Sequence, residues 1–308
     1  MRLKTLLAPI LLAETVLAQG LPIRVLSFNI RYAAGSRESG EKPWWDLFCF
    51  ITKNRCRQRH VIDAISRSAS GSPSGAVNIV GLQEVLDNQR KDILKGLGSD
   101  WAQIGVARDN GDKDGEFNPI FYRTGALKLV YEETKWLSPT PDEVSFGWGA
   151  GSRRIVTIGV FEHTASGMKF IHANTHLDNF SDQARAEGIK VVVSRIQAVQ
   201  STYGPLGVTL TGDFNVDPSG APYNILSSGG FVEDLYNVAT PEQRIGPNQL
   251  TYTTFDTSKP ASRIDFIWLG PKEAKKYTVQ RFEIMNNEVS GMLISDHRPV
   301  LGDVTLLS

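Results

Sequence analysis

Val208-Thr209-Leu210-Thr211-Gly212-Asp213-Phe214-Asn215-Val216-Asp217-Pro218 joins a short apolar run to an acid, an amide and a proline turn. The run Val208 to Gly212 has the length and content of a buried strand. Alternation along an extended chain puts Asp213 and Asn215 on one side. A surface turn is the plain reading, since Asp, Asn and Pro all favour turns. The same arrangement recurs elsewhere in the chain, however, and the recurrence is the signal. Rigid strands position polar groups and loops admit substrate, so functional groups gather at strand ends.

Five further stretches repeat the pattern. Asn29 lies near the end of the first apolar run, in Leu26-Ser27-Phe28-Asn29-Ile30-Arg31-Tyr32; alone it reads as a turn asparagine. Glu84 closes Ile79-Val80-Gly81-Leu82-Gln83-Glu84-Val85. An acid there is costly to bury unpartnered, and a hard cation or a salt bridge satisfies it equally. Ile171 to Asp178 places Asn174 and His176 on one strand face. Arg263-Ile264-Asp265-Phe266-Ile267-Trp268 sets an acid in an apolar strand, and Ser295-Asp296-His297-Arg298-Pro299-Val300 sets an acid and an imidazole before the last one.

Other strands are expected at Val77 to Gln83, Pro119 to Tyr122, Leu127 to Leu137, Ile155 to Phe161, Lys169 to His176 and Val300 to Leu307, from their Val, Ile, Phe and Thr content. Helices are expected at Arg57 to Arg67, Asn88 to Leu97 and Asp182 to Gln200, the last with Ser181 as N-cap. Strands outnumber helices in a mixed order. That favours an α/β fold of two mixed sheets packed face to face with helices outside. Ser66 to Gly75, rich in Ser, Gly and Pro, reads as a surface loop.

Taken together and in this order, the motifs resemble the endonuclease/exonuclease/phosphatase (DNase I-like) superfamily. They are Asn29, Gln83-Glu84, Thr175-His176, Gly212-Asp213-Phe214-Asn215, Asp265-Phe266-Ile267 and Ser295-Asp296-His297. Gly115 to Arg123, Trp136 to Pro141 and Thr175 to Asn179 resemble a secreted or bacterial-type branch of it. The resemblance implies a four-layer α/β sandwich and Mg²⁺-dependent hydrolysis of phosphodiester bonds. It implies Glu84, with Asn29 and Asp296, as the metal site; Mg²⁺ takes oxygen ligands and needs few carboxylates, and Mn²⁺ favours similar ones. His297 paired with Asp265 is then the general base or the imidazole on the phosphate, and Asp213 is the competing base. Asn215 holds the water or a phosphate oxygen, and His176 stabilises charge in the transition state. Glu116 as a partner of His176, and Tyr122 as a phosphate contact, follow from the same resemblance. Arg185, in the first turns after Asp178, reads as a ligand for a second phosphate or acidic sugar, or as a solvated helix charge.

The bulk properties constrain the substrate. The 308 residues carry 33 basic and 33 acidic side chains. Tight nucleic-acid binders carry a basic surplus, so neutrality weighs against a processive DNA enzyme while leaving transient nucleic-acid or small phosphodiester substrates open. A non-catalytic binding module with the same fold is a further alternative; it predicts eroded acid and imidazole positions, and none is eroded. Within the hydrolase reading, nuclease-like action stands first, and action on a lipid headgroup, inositol or sugar phosphate stands close behind. Arg2 and Lys4, the apolar run Leu6 to Leu12, and Val16-Leu17-Ala18 form a signal-peptide pattern over residues 1–18. The expectation is a secreted, monomeric, single-domain protein from residue 19 onward, with no stable membrane insertion. Cys49 and Cys56 suggest a disulfide in an oxidising compartment, two free thiols being the alternative. Trp44-Trp45 and Phe146/Trp148 read as stacking platforms or as loop anchors. Asn179-Phe180-Ser181 is a glycosylation sequon.

Overall fold

The protein is described by a computed structural model covering residues 20–33, 35–52, 54–256, 258–259 and 261–308; the expected signal peptide lies outside these residues. In chain order the elements begin with β1 (Leu21–Asn29), α1 (Arg57–Ser70), β2 (Val77–Gln83), α2 (Asp87–Leu97), β3 (Trp101–Ile104), β4 (Ile120–Arg123) and β5 (Leu127–Trp136). There follow β6 (Ile155–His163), β7 (Lys169–His176), α3 (Asp182–Tyr203), β8 (Gly207–Asp213), α4 (Ala221–Ser228), β9 (Glu233–Asp234) and α5 (Leu235–Val238). The chain closes with β10 (Arg244–Ile245), β11 (Asp265–Gly270), β12 (Tyr277–Ile284), β13 (Glu288–Val289), β14 (Met292–Leu293) and β15 (Val300–Leu306).

Two mixed sheets result. One has seven strands in the order β10-β12-β15-β1-β2-β4-β3, the other six in the order β5-β6-β7-β8-β11-β9. Central strands read as continuous apolar runs because both faces are covered. Alternation along β1 shows how. Ile23 and Val25 join Ile79, Phe161, Phe170 and Ile267 in a core between the sheets. Leu26 and Phe28 turn outward to meet Val61 and Ile65 of α1 and Ile93 of α2. On the far side, Ile189, Val192 and Ile196 of α3 cover Ile171, Leu210 and Trp268. The layers run helix, sheet, sheet, helix.

Near one end of the strands the space between the sheets becomes polar. Asn174 Nδ2 donates to the Leu82 carbonyl at 2.7 Å and the Pro119 carbonyl at 3.1 Å, across to the other sheet. Asn174 Oδ1 accepts from Gln83 Nε2 at 2.7 Å and Thr211 Oγ1 at 3.0 Å. Gly81 permits this approach: a Cβ there would lie 2.2 Å from Thr211 Oγ1 and 2.7 Å from Asn174 Oδ1. Ser181 caps α3 by accepting from the Ala184 N–H. Cys49 and Cys56 are joined by a disulfide with Cα atoms 5.5 Å apart. Half of the expected loop after residue 66 is helical, since α1 continues to Ser70.

Candidate active site

Strand direction gathers the polar strand ends. β1 and β2 run parallel, with Asn29 opposite Gln83. β15 runs antiparallel to β1, so the segment before Val300 meets the end of β1 at Ser27. In the second sheet His176 stands opposite Asp213, and Asp213 opposite Asp265. All six motifs therefore reach the same edge of both sheets. There they border a cleft of about 760 Å³, whose wall includes Glu84, His176, Asp213, Asn215, Asp296 and His297.

Three wall residues take positive φ without being glycine: Arg31 at 58°, Glu84 at 59° and Asn215 at 52°. Each follows a strand end. Such backbone is sparsely populated for these residue types and turns their side chains back over the sheet edge. Asp213 Oδ1 holds the Asn215 N–H at 2.8 Å. Ser295 Oγ donates to the Asn29 carbonyl at 2.7 Å, tying the last loop to the first strand.

The carboxylates form one connected group. Asn29 Nδ2 donates to Glu84 Oε1 at 3.1 Å and to Asp213 Oδ2 at 2.9 Å. Its amide oxygen accepts from the Arg31 N–H at 3.0 Å. Asn29 thus spaces two carboxylates of the acidic centre. Glu84 Oε2 also accepts from the Tyr32 N–H at 3.1 Å. Burial pushes Asp213 up to about 7; Asp265 adds to this, and His297, the Asn215 N–H and Asn29 oppose it. Burial likewise pushes Asp296 up to about 6, with Glu84 adding and His297 opposing. Buried acids that raise one another's proton affinity are a site for a divalent cation, which relieves the repulsion. Ligand atoms of Glu84, His176 and Asp213 lie within 4.8 Å of one another. The carboxylate oxygens of Glu84, Asp213 and Asp296 suit a hard ion such as Mg²⁺ or Mn²⁺.

The two imidazoles differ in charge. His297 Nδ1 lies 2.9 Å from Asp265 Oδ2, and its Nε2 3.6 Å from Asp213 Oδ2. Burial pulls its proton affinity down, but Asp265 and Asp213 outweigh that and hold it well above the ordinary range. Tyr252 packs its ring 4.9 Å from the His297 ring. For His176, burial and then Arg154 and Arg108 press the proton affinity well down, so this ring is neutral. Its Nε2 accepts from Asn215 Nδ2 at 2.8 Å, which leaves the proton on Nδ1. That Nδ1 has no hydrogen-bond partner. It is a buried donor behind the cleft wall.

Glu116 lines the same wall, 3.9 Å from His176 Nδ1, beyond hydrogen-bond reach. Its carboxylate is held by Arg108 at 2.7 Å, with Arg154 at 3.9 Å. Tyr122 does not reach the cleft. β4 runs antiparallel to β2, so Tyr122 stands opposite Ile79, mid-strand, and packs edge-on against Phe161 at 5.0 Å in the core. Arg185 is also off the wall: it donates to the Asp178 carbonyl at 2.8 Å and pairs with Asp182, steadying the turn into α3. Trp44 is a loop anchor, its indole N–H donating to Asp92 at 2.8 Å, whereas Trp45 is exposed.

Arg31, Arg108, Arg154 and Tyr252 line the cleft and are not among the residues expected from sequence. Arg154 carried a usable sign, a charge abutting the buried strand at Ile155. Arg57 is a fifth omission, fully buried beneath the site. It donates to the carbonyls of Ile30 at 2.7 Å and Ile294 at 3.1 Å, joining the loops that carry Asn29 and Asp296.

The sequence profile of the Endonuclease/Exonuclease/phosphatase family matches residues 26–297. The chain belongs to this family. Endonuclease/exonuclease/phosphatase family members are metal-dependent phosphoesterases, including nucleases and phosphatases. One from Bacteroides vulgatus is 30% identical with a TM-score of 0.76, covering 93% of this chain and 99% of its own. A mannosyl-6-phosphatase from Bacteroides thetaiotaomicron is 29% identical with a TM-score of 0.74, covering 92% and 100%. The human nocturnin catalytic domain, solved with bound sulfate, is 17% identical with a TM-score of 0.66 over 93% and 94%, a likeness of fold alone. No curated protein matches the chain in sequence.

Proposed function

We propose that the protein is a divalent-metal-dependent phosphoesterase acting on a small hydroxylated phosphoester, a sugar phosphate by class. The observation that carries this is the shape and charge of the cleft. It is compact, and its wall sets Arg31, Arg108 and Arg154 beside the acidic centre. These cations balance a small, doubly charged phosphate. Glu38 and Glu116 share the wall and disfavour a long polyanion. The exposed aromatics Trp45, Phe146 and Phe180 lie off it, and the aromatics on its wall are the half-buried Tyr32 and Tyr252, the latter packed on His297. Similarity to the mannosyl-6-phosphatase supports the same class.

Glu84 and Asp296 hold the cation in this reading, Mg²⁺ or Mn²⁺, which supplies charge neutralisation at the phosphate oxygens. Asp213, a buried carboxylate of raised proton affinity, takes the proton of the attacking water, which Asn215 orients. The new P–O bond forms as the bond to the leaving oxygen breaks, and that oxygen takes up a proton from solvent and departs as the sugar alcohol. His297, charged and fixed by Asp265, contacts a phosphate oxygen. His176 stands on the wall beside another non-bridging oxygen, and Arg108 and Arg154 steady the spectator charge.

The test is a substrate panel with purified, disulfide-intact protein and Mg²⁺ or Mn²⁺. Phosphate release is measured from hexose 6-phosphates, and cleavage from bis-p-nitrophenyl phosphate, sphingomyelin, single-stranded DNA and RNA. We expect the hexose phosphates to show the highest kcat/KM. Cleavage of oligonucleotides with no phosphate release would replace this reading with the nuclease one.

A further inference from the structure

Eleven large apolar side chains are exposed among the described residues, and five of them fall between positions 45 and 51. Trp45 is 53% exposed, Leu47 68%, Phe48 55%, Phe50 80% and Ile51 66%. A concentration of this kind marks an interaction surface, because scattered single residues are the ordinary case. The Cys49–Cys56 disulfide closes the segment, and Asp46 grips Arg55 at 2.7 Å across it. The loop is therefore held in shape while its apolar tips stand in water.

We propose that this loop docks the protein on an anionic lipid surface, with the tips of Phe48, Phe50 and Ile51 entering the headgroup–acyl boundary. Charge selects this occupant. Setting aside Arg57 and Glu41, which are buried, positions 37 to 59 hold five basic and two acidic residues in a chain that is neutral overall. Arg37 and Lys42 are exposed beside the loop and meet no carboxylate at ion-pair distance among the described residues. Arg55 lies 5.0 Å over the Phe48 ring, placing a cation behind the apolar tip. Apolar tips ringed by cations match an anionic interface, where buried apolar area and attraction to acidic lipids add. Leu47, Phe48, Phe50 and Ile51 stand outside the depression that Trp45 walls, which favours a yielding bilayer over a shaped protein partner. No described helix is long and apolar enough to cross a membrane, so the contact is interfacial. Ala33 borders both the catalytic cleft and the depression walled by Arg37 and Trp45, so docking here sets the cleft close to the lipid surface. The inference is independent of which phosphoester is hydrolysed.

The experiment is co-sedimentation of the disulfide-intact protein with phosphatidylcholine vesicles, alone or with roughly one-third phosphatidylglycerol. We expect binding to the anionic vesicles only, weakening as salt rises. Phe48→Ser/Phe50→Ser/Ile51→Ser should lower the partition coefficient about ten-fold or more. The single Phe50→Ser, at the most exposed position, should lower it in part. Both should keep the wild-type melting temperature and the wild-type hydrolysis of a soluble chromogenic phosphoester. Absence of wild-type binding to either vesicle overturns the proposal. So does unchanged binding by both variants, or a wild-type dimer by light scattering that Phe50→Ser dissolves.

Discussion

His176 and His297 face one cleft yet are driven to opposite extremes of proton affinity, and the cause is which neighbours each one meets. Asp265 and Asp213 surround His297, whereas Arg154 and Arg108 stand near His176. If Asp213 accepts the water proton and His297 meets the phosphate, Asp213→Asn and His297→Ala should each lower kcat by roughly 10²- to 10⁴-fold. Their melting temperatures should stay near that of the wild type. Wild-type turnover in either variant would remove that residue from the chemistry. A third imidazole, His172, answers to pH for a different reason. It is sealed between Thr209 Oγ1 at 2.7 Å and Thr211 Oγ1 at 3.3 Å, and burial lowers its proton affinity to about 3. An unfolded histidine titrates near 6.5. Below about pH 6.5 the unfolded chain binds a proton that the folded chain refuses, so stability falls from there down to about pH 3. His172→Asn should therefore melt with a flatter pH dependence between about 6.5 and 4 than the wild type. Parallel curves would show that His172 contributes nothing to acid sensitivity.

At the scale of elements, the close approach of β2 and β7 fixes how the sheets meet. Gly81→Ala forces a methyl group against Thr211 and Asn174, both held in the polar network. We expect a loss of about 1–3 kcal/mol in urea unfolding, as for other overpacked cores. An unchanged midpoint would mean the sheets can part without cost. The sequence made such elements legible unevenly. β2 and β7 match their expected bounds, both being buried almost throughout and rich in Val, Ile, Phe and Thr. α3 was legible from its periodicity and its Ser181 cap. β12 was not read, since an outer strand with only Phe282 and Ile284 buried lacks such a run. α4 was hidden by its length of eight residues and its Ser, Asn and Pro content. The acids and imidazoles of the site were legible because charge at the end of an apolar run is costly and so conspicuous. Arg108 and Tyr252 lie in loops with no such contrast. Tyr122 misled because its face of β4 follows from pairing with β2, which no local pattern reveals.

The whole molecule joins a neutral chain to a concentrated acidic centre, and a cation bound there would be a structural partner as well as a chemical one. Treatment with a chelator should abolish phosphoester hydrolysis, and Mg²⁺ or Mn²⁺ should restore it. Cation at about a hundred times its Kd should add about 2.7 kcal/mol of stability, read as a rise in melting temperature. Glu84→Gln should lose most of that rise. Full activity in the chelator would exclude a metal-dependent reaction.

One consequence follows from the pairing of the first long strand with the last. Leu21 lies opposite Leu306 and Ser27 opposite Val300, while Asp296 and His297 arrive just ahead of that final strand. Without β15, β1 can still pair with β2, yet its other side is open and no imidazole stands beside Asp265. The site is thus complete only once β15 fills the place between β1 and β12.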